Sequence, residues 1–339
     1  MFLLLNLLQA HLALSAPASF SKRQAPSGVP DYVLTYAPMV YLYSGDEYRP
    51  SDIGAQLNNT QPEVAYSVVS NAPEPLTLDN LNDLNNDGGT SVYLTSKENI
   101  ADNPTWLNGV IPDSSGKTEG AISCAIIVND HGSGLVDAFY MYFYAFNWGG
   151  DYFGFIVDDH VGDWEHNMIR FKDGSPQAIW YSQHSNGEAF TYDCVEKYDD
   201  GIRPVTYSAN GSHANYAISG THDHTIPDVN LPEGPIEDYT DNGPIWDPTL
   251  SAYYYSYNAS SQIFTAYDNS TPVNWLYFVG GWGDQRYPES DPIQSCPLGI
   301  TELCKYTSGP TGPEDKQLNR TQVCPDNGYL CIVRPILGP

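Results

Sequence analysis

Cations are scarce in this chain. Lys and Arg together number 14 against 41 Asp and Glu, and the formal net charge at pH 7 is −27. Nucleic-acid phosphates are gripped by clustered Lys and Arg, so DNA and RNA are excluded as partners. An anionic membrane surface is disfavoured on the same ground. Long apolar runs are missing too. Beyond the N-terminus nothing approaches the ~18–20 residues that a spanning helix needs, so no transmembrane segment is expected. Residues 332–339 are too short for a lipid-anchor signal. Charged residues make up only 16%, too few for a coiled coil or a charged disordered chain. No long amphipathic helix and no internal repeat is visible. Aromatics are what the chain has in quantity: 13%, including 26 Tyr. That composition fits a folded protein with a large amphipathic surface.

Residues 1–16 are apolar, led by Phe2-Leu3-Leu4-Leu5 and Leu7-Leu8, and the small residues Ser15, Ala16 and Ala18 follow. This pattern predicts a secretory signal over 1–18. Asn6, Gln9 and His11 interrupt the run, and no Lys or Arg precedes it. Lys22-Arg23 offers a dibasic cut, which makes 19–35 a short propeptide or flexible lead-in. Six cysteines agree with an oxidising compartment: Cys124, Cys194, Cys296, Cys304, Cys324 and Cys331. The last four lie beyond residue 295, which predicts two local staples. Cys124 and Cys194 fall in strand-like segments and are candidates to join two strands. No Cys-x2-Cys spacing speaks for thiolate zinc. Sequons at Asn58, Asn210, Asn258 and Asn319 are the glycosylation candidates. A fifth at Asn269 is followed by Pro272, which counts against its use. The expectation is a secreted, monomeric glycoprotein, or one that reaches the vacuole by the secretory pathway.

Strand patterns dominate the chain. Residues 139–148 are almost wholly aromatic: Phe139, Met141 and Phe143 fall on one face, and Tyr140, Tyr142, Tyr144, Phe146 and Trp148 on the other. Both faces read as buried, as in the middle of a sandwich. Further strand-like runs are 121–128, 164–171, 177–182, 189–195, 205–209, 252–257, 262–267 and 275–279, with Gly, Asn, Asp and Pro between them. Ser51 is the expected cap of a short helix over 52–57. Leu78, Leu81 and Leu84 recur at helical spacing. Asn186-Gly187 reads as a hairpin turn, and 221–248 as a long loop of the kind that carries function. The predicted architecture is a mostly-β, antiparallel β-sandwich with long loops, forming a single domain over 36–290. A Cys-rich tail, 291–339, packs on it.

The densest ionisable cluster is Asp158-Asp159-His160-Val161-Gly162-Asp163-Trp164-Glu165-His166. On a strand, Asp163 and Glu165 share one face, and Trp164 and His166 the other. Gly162 allows a bend that brings His160 to the first face. One imidazole with two carboxylates is a divalent-metal pattern. Its oxygen content favours calcium or magnesium over zinc. The bland alternative is a solvated acidic turn entering a strand. His166, Trp164 and Ser212 are expected to line the surroundings. The rival class is a polysaccharide hydrolase or lyase with Asp163 or Glu165 as acid–base and His184 or His213 assisting. A triad through Ser182 or Ser212 lacks a nucleophile elbow. The loop Gly280-Gly281-Trp282-Gly283-Asp284 reads as a tight turn around Trp282, with sugar stacking as its functional alternative.

Two resemblances enter at these residues. Tyr36-Ala37-Pro38-Met39-Val40-Tyr41-Leu42, Pro50-Ser51-Asp52-Ile53, Val161-Gly162-Asp163-Trp164-Glu165-His166 and Gly211-Ser212-His213-Ala214 resemble the fungal family of vacuolar protein sorting-associated protein 62, over roughly 36–286. That resemblance implies a role in vacuolar protein sorting. The spacing of His160, Asp163, Trp164 and Glu165 is similar to the motif of necrosis- and ethylene-inducing-like proteins. That second resemblance implies a β-sandwich with a divalent cation on His160, Asp163 and Glu165, and a further ligand at Asp151. It also implies a glycan or glycolipid headgroup as partner.

Overall fold

The alternation in residues 139–148 organises the whole molecule. The computed structural model describes residues 25–199, 201–226, 229–231 and 236–338. The signal at 1–18 and the Lys22-Arg23 cut lie outside the described residues. In chain order, β1 (Met39–Leu42) is followed by β2 (Thr60–Val64), β3 (Ser67–Val68) and β4 (Tyr93–Ser96). Two long strands come next, β5 (Cys124–Gly132) and β6 (Leu135–Asn147). A small hairpin, β7 (Asp151–Tyr152) and β8 (Phe155–Ile156), leads into β9 (His160–Lys172), β10 (Ser175–Gln183) and β11 (Asn186–Thr191). After β12 (Val205–Ser208) and β13 (Asn215–Tyr216) come β14 (Gly220–Ile226), β15 (Val229–Leu231) and β16 (Glu237–Thr240). The chain closes with β17 (Ile245–Trp246), β18 (Ala252–Asn258), β19 (Ile263–Ala266) and β20 (Val333–Arg334). The α-helices, α1 (Asp31–Thr35) and α2 (Ala55–Asn59), are five residues each.

The fold is mostly β. Its centre is an eight-stranded sheet in the order β19-β18-β5-β6-β9-β10-β11-β20. The inner pairs β5–β6, β6–β9, β9–β10 and β10–β11 are antiparallel, and β18–β5 and β11–β20 are parallel. Because successive side chains alternate, this sheet feeds two cores. Phe139, Met141, Phe143, Trp164 and Trp180 fill one, with Trp275 and Trp282 packed against them. Tyr140, Tyr142, Tyr144, Ile169 and Tyr181 fill the other, which is covered by Val40, Leu42 and Trp246 from the β13-β12-β1-β17 sheet. Both faces are buried, as the aromatic run predicts. Trp282 is fully buried, with ring centroids 5.2 Å from Trp164 and 5.7 Å from Trp275. The Gly-rich loop therefore serves packing. Gly162, at φ +70, makes the approach possible: a Cβ there would stand 2.4 Å from the Trp282 carbonyl oxygen.

Several expectations need correction. Cys296–Cys304 and Cys324–Cys331 are the two local staples of the tail. Cys124 and Cys194 are not joined. Four strand spacings separate β5 from β11 in the sheet order, about 19 Å at ~4.8 Å each. A disulfide needs Cα atoms within about 7 Å. The run 275–279 is not a strand; Asn274–Tyr277 forms a 3-10 turn that seats Trp275. The segment 221–248 carries β14, β15 and β16 as a small sheet, not only loop. The β10–β11 turn sits at His184 and Ser185, two residues before its expected place. Gly187 pairs with Ser182 in the ladder, and a Cβ there would meet the Tyr181 carbonyl oxygen at 2.0 Å. The N-cap of α2 is Gly54; ahead of it the Asp52 carboxylate accepts from Ala55 N at 2.7 Å, and Ser51 instead donates to the Arg49 carbonyl. Val29 and Val33 of the lead-in are buried in the second core.

Candidate functional site

The cluster is built where the β9–β10 ladder ends while the β6–β9 ladder runs on. Asp163 and Glu165 stand opposite Tyr144 and Tyr142 in the β6–β9 ladder. Both carboxylates are nearly buried, at 6% and 5% exposure. The β9–β10 ladder stops at Asn167–Tyr181. Past that point Ser182 takes over: its hydroxyl accepts from His166 N at 2.7 Å and donates to the Glu165 carboxylate. Glu165 thus sits in the gap where the strands part.

Asp163 is held by His213, whose Nδ1 lies 2.9 Å from Oδ2. Gly211, at φ +75, and His213 itself, at φ +56, turn the chain so that the imidazole stacks on Tyr144 at 3.7 Å. Asp46 lies 3.6 Å from the other ring nitrogen. Across the gap, Asp238 is a hub. It accepts from Ser212 Oγ at 2.6 Å and Tyr216 Oη at 2.7 Å, and it pairs with His184 Nε2 at 2.7 Å. Sequence reasoning missed Asp238; its only signal was membership of a segment expected to be functional. The structure brings together Asp163, Glu165, Ser182, His184, Ser212 and His213.

The other named residues stand elsewhere. Trp164 belongs to the first core. His166 points to the opposite side of β9 from Asp163, where Nε2 accepts from buried Arg320 at 2.7 Å. His160 turns back on its own strand, with Nδ1 at 2.7 Å from the Gly162 carbonyl. Asp151 is exposed on β7 and accepts from Gly154 N. The donor chemistry of His160, Asp163 and Glu165 suits calcium or magnesium, but the three side chains do not converge as one group. Each has another partner, and among the described residues no group of three or more His, Cys, Asp or Glu is arranged to hold one.

The electrostatics follow from burial. Desolvation, with Asp163 beside it, pushes Glu165 up to about 8. Glu165 is then a neutral acid near neutral pH. Burial opposes charge on His184, but the Asp238 carboxylate outweighs it and raises the imidazole to about 9. Burial also raises Asp46. Two cavities meet at the His184–Asp238 pair. One, about 190 Å³, is lined by Glu165, Ser182, His184 and Lys316. The other, about 280 Å³, is lined by Trp148, Asp151, Phe153 and Asp238. Neither serine is set up as a nucleophile. Ser212 and His184 bind the same carboxylate from separate oxygens, and Ser182 donates to a carboxyl group rather than to a base.

A family model described as "Vacuolar protein sorting-associated protein 62" matches residues 129–286, a span that contains the whole β9 block, His213 and Asp238. Two relatives come from Saccharomyces cerevisiae. "Putative vacuolar protein sorting-associated protein TDA6" is 37% identical over 328 residues, covering 88% of this chain and 69% of the relative. "Vacuolar protein sorting-associated protein 62" is 34% identical over 329 residues, covering 87% and 68%. Among solved structures, "NLPPya in complex with glucosamine" aligns at 11% identity and TM-score 0.32, over 69% of this chain and 78% of that one. "Toxin fold as basis for microbial attack and plant defense" aligns at 12% identity and TM-score 0.30, over 72% and 80%.

Proposed function

This chain belongs to the family of vacuolar protein sorting-associated protein 62, and from that premise we propose that it is a binding protein of the secretory or vacuolar route. Its acidic cleft takes a neutral, hydroxyl-rich ligand such as a glycan or glycolipid headgroup. One observation carries the reading: the His184–Asp238 pair stands between two open cavities, with Glu165, whose carboxyl burial pushes up, beside it. Donors and acceptors in that arrangement match the mixed donor–acceptor edge of a sugar. Phe153 and Trp148 on the second cavity supply apolar faces for the ring carbons. The unpartnered Oδ1 of buried Asn215, whose amide contacts Ser182, adds an acceptor in the same neighbourhood. The tail disulfides agree with an oxidising compartment.

The hydrolase reading has one observation in its favour. Burial and the neighbouring Asp163 push the Glu165 carboxyl up, the direction a general acid needs. The two readings separate in one assay. A panel of neutral glycans is incubated with the full-length chain, and binding is read by saturation-transfer NMR alongside reducing-sugar release. Binding without release, weakened at least tenfold in Asp238→Asn, is the expected result. Release of reducing ends that disappears in Glu165→Gln would replace the binding reading with the enzymatic one.

A further inference from the structure

A groove of about 850 Å³ opens beside the β5–β6 and β18–β19 hairpins. It is remote from the acidic cleft. Val136 lines the groove, and Tyr144 pairs with Asp163, eight residues further along β6 or about 26 Å at ~3.3 Å per residue. Three half-buried tyrosines, Tyr32, Tyr257 and Tyr267, contribute rings to its wall. Asn129 also lines it. That residue is 1% exposed; its amide nitrogen donates to the Leu318 carbonyl at 2.7 Å, and its Oδ1 has no partner. A buried acceptor without a donor is costly, on the order of 1–3 kcal/mol, unless a ligand or water supplies one. The groove therefore has aromatic faces, a buried polar anchor and hydroxyl-bearing rims.

Two sequons end on this same groove. Asn258 is the exposed last residue of β18, and its Oδ1 closes the turn by accepting from Ser260 N and Ser260 Oγ. Asn319 is exposed between two residues driven inward: Leu318 is 3% exposed and Arg320 2%. That in–out–in pattern aims Asn319 outward at the groove, where it forms part of the lining.

We propose that this groove is a second saccharide site, filled by an N-linked glycan carried on Asn258 or Asn319 or by a free oligosaccharide of the same chemistry. Sugar rings present an apolar face and a hydroxyl edge, which tyrosine rings and an amide oxygen match together. A neutral ligand also suits a chain with a charge of −27. The proposal is independent of the cleft.

The test uses the full-length chain secreted from a yeast host, as its native glycoform, after enzymatic deglycosylation, and as the Asn258→Gln, Asn319→Gln double variant. The probe is N,N′-diacetylchitobiose, the disaccharide at the base of N-linked glycans, followed by saturation-transfer NMR. The deglycosylated chain is expected to bind it, and exposed Thr265→Arg, which blocks the groove, should weaken binding at least tenfold with an unchanged melting midpoint. If the chain's own glycan is the occupant, the native glycoform is closed to the probe and deglycosylation opens it. If free oligosaccharide is the occupant, the native glycoform and the deglycosylated chain bind alike. Groove binding persists in Asp238→Asn; binding lost in that variant and untouched by Thr265→Arg belongs to the cleft and overturns the proposal. So does the absence of any binding by the deglycosylated chain.

Discussion

Trp164 and Glu165 are adjacent in sequence and opposite in circumstance. Trp164 faces a dry layer of rings, 4.7 Å from Phe143 and stacked on Trp275 at 5.6 Å. Glu165 faces a gap between parting strands, with a serine hydroxyl, a second carboxylate and a charged imidazole nearby. One side of β9 contributes to holding the fold together, and the other side spends stability to keep polar groups together near solvent. The strand can do both because its period of two sends neighbours to different faces.

Substitutions on the two faces should separate stability from binding. Trp164→Ala should cost about 3–5 kcal/mol by denaturant unfolding, since it empties a ring-sized volume. Its effect on ligand affinity should follow only from lost folded protein. His166→Met is a subtler break on the same face. It removes the His166 Nε2 acceptor from the buried Arg320 guanidinium, which keeps the Gln317, Val323 and Lys316 carbonyls, and should cost about 1 kcal/mol. Arg320 also packs over Phe139 and Trp180, so the loss should leave those rings in place.

The polar face should respond through pH. In the fold Glu165 keeps its proton to about 8, against an ordinary 4.5 once unfolded. The folded state binds the extra proton in that window, so stability falls as pH rises from about 4.5 to about 8. His184 slopes the same way: its contribution is complete below its unfolded 6.5 and is lost as pH rises through about 9. Melting curves of Glu165→Gln should be flatter than wild type between pH 5 and 8, and the variant should be the more stable of the two at pH 8. Smallest of all, Phe153→Ser at the 86% exposed rim should change stability by under about 0.5 kcal/mol while weakening glycan binding.

Those same faces explain what the sequence made legible. The two cores were readable because residues 139–144 alternate Phe or Met with Tyr, and each class went to its own side. The tail staples were readable because their partners are eight and seven residues apart. Cys124 and Cys194 misled because their distance is set by the order of strands in the sheet, which spacing along the chain does not encode. Asp163 and Glu165 were correctly placed on one face. His160 was not brought to them, since positive φ at Gly162 serves Trp282 and leaves the His160 ring on its own backbone. Asp238 was hidden because β16 shows little apolar alternation, yet it organises Ser212, Tyr216 and His184.

The most direct measurement is a glycan titration of the full-length chain, run with and without a chelator. If the cleft works through its own acids and imidazoles, binding is unchanged by chelator and falls at least tenfold in Asp238→Asn. If chelator abolishes binding and calcium or magnesium restores it, an ion on Asp163 and Glu165 does the recognition, and a metal-free polar face is contradicted.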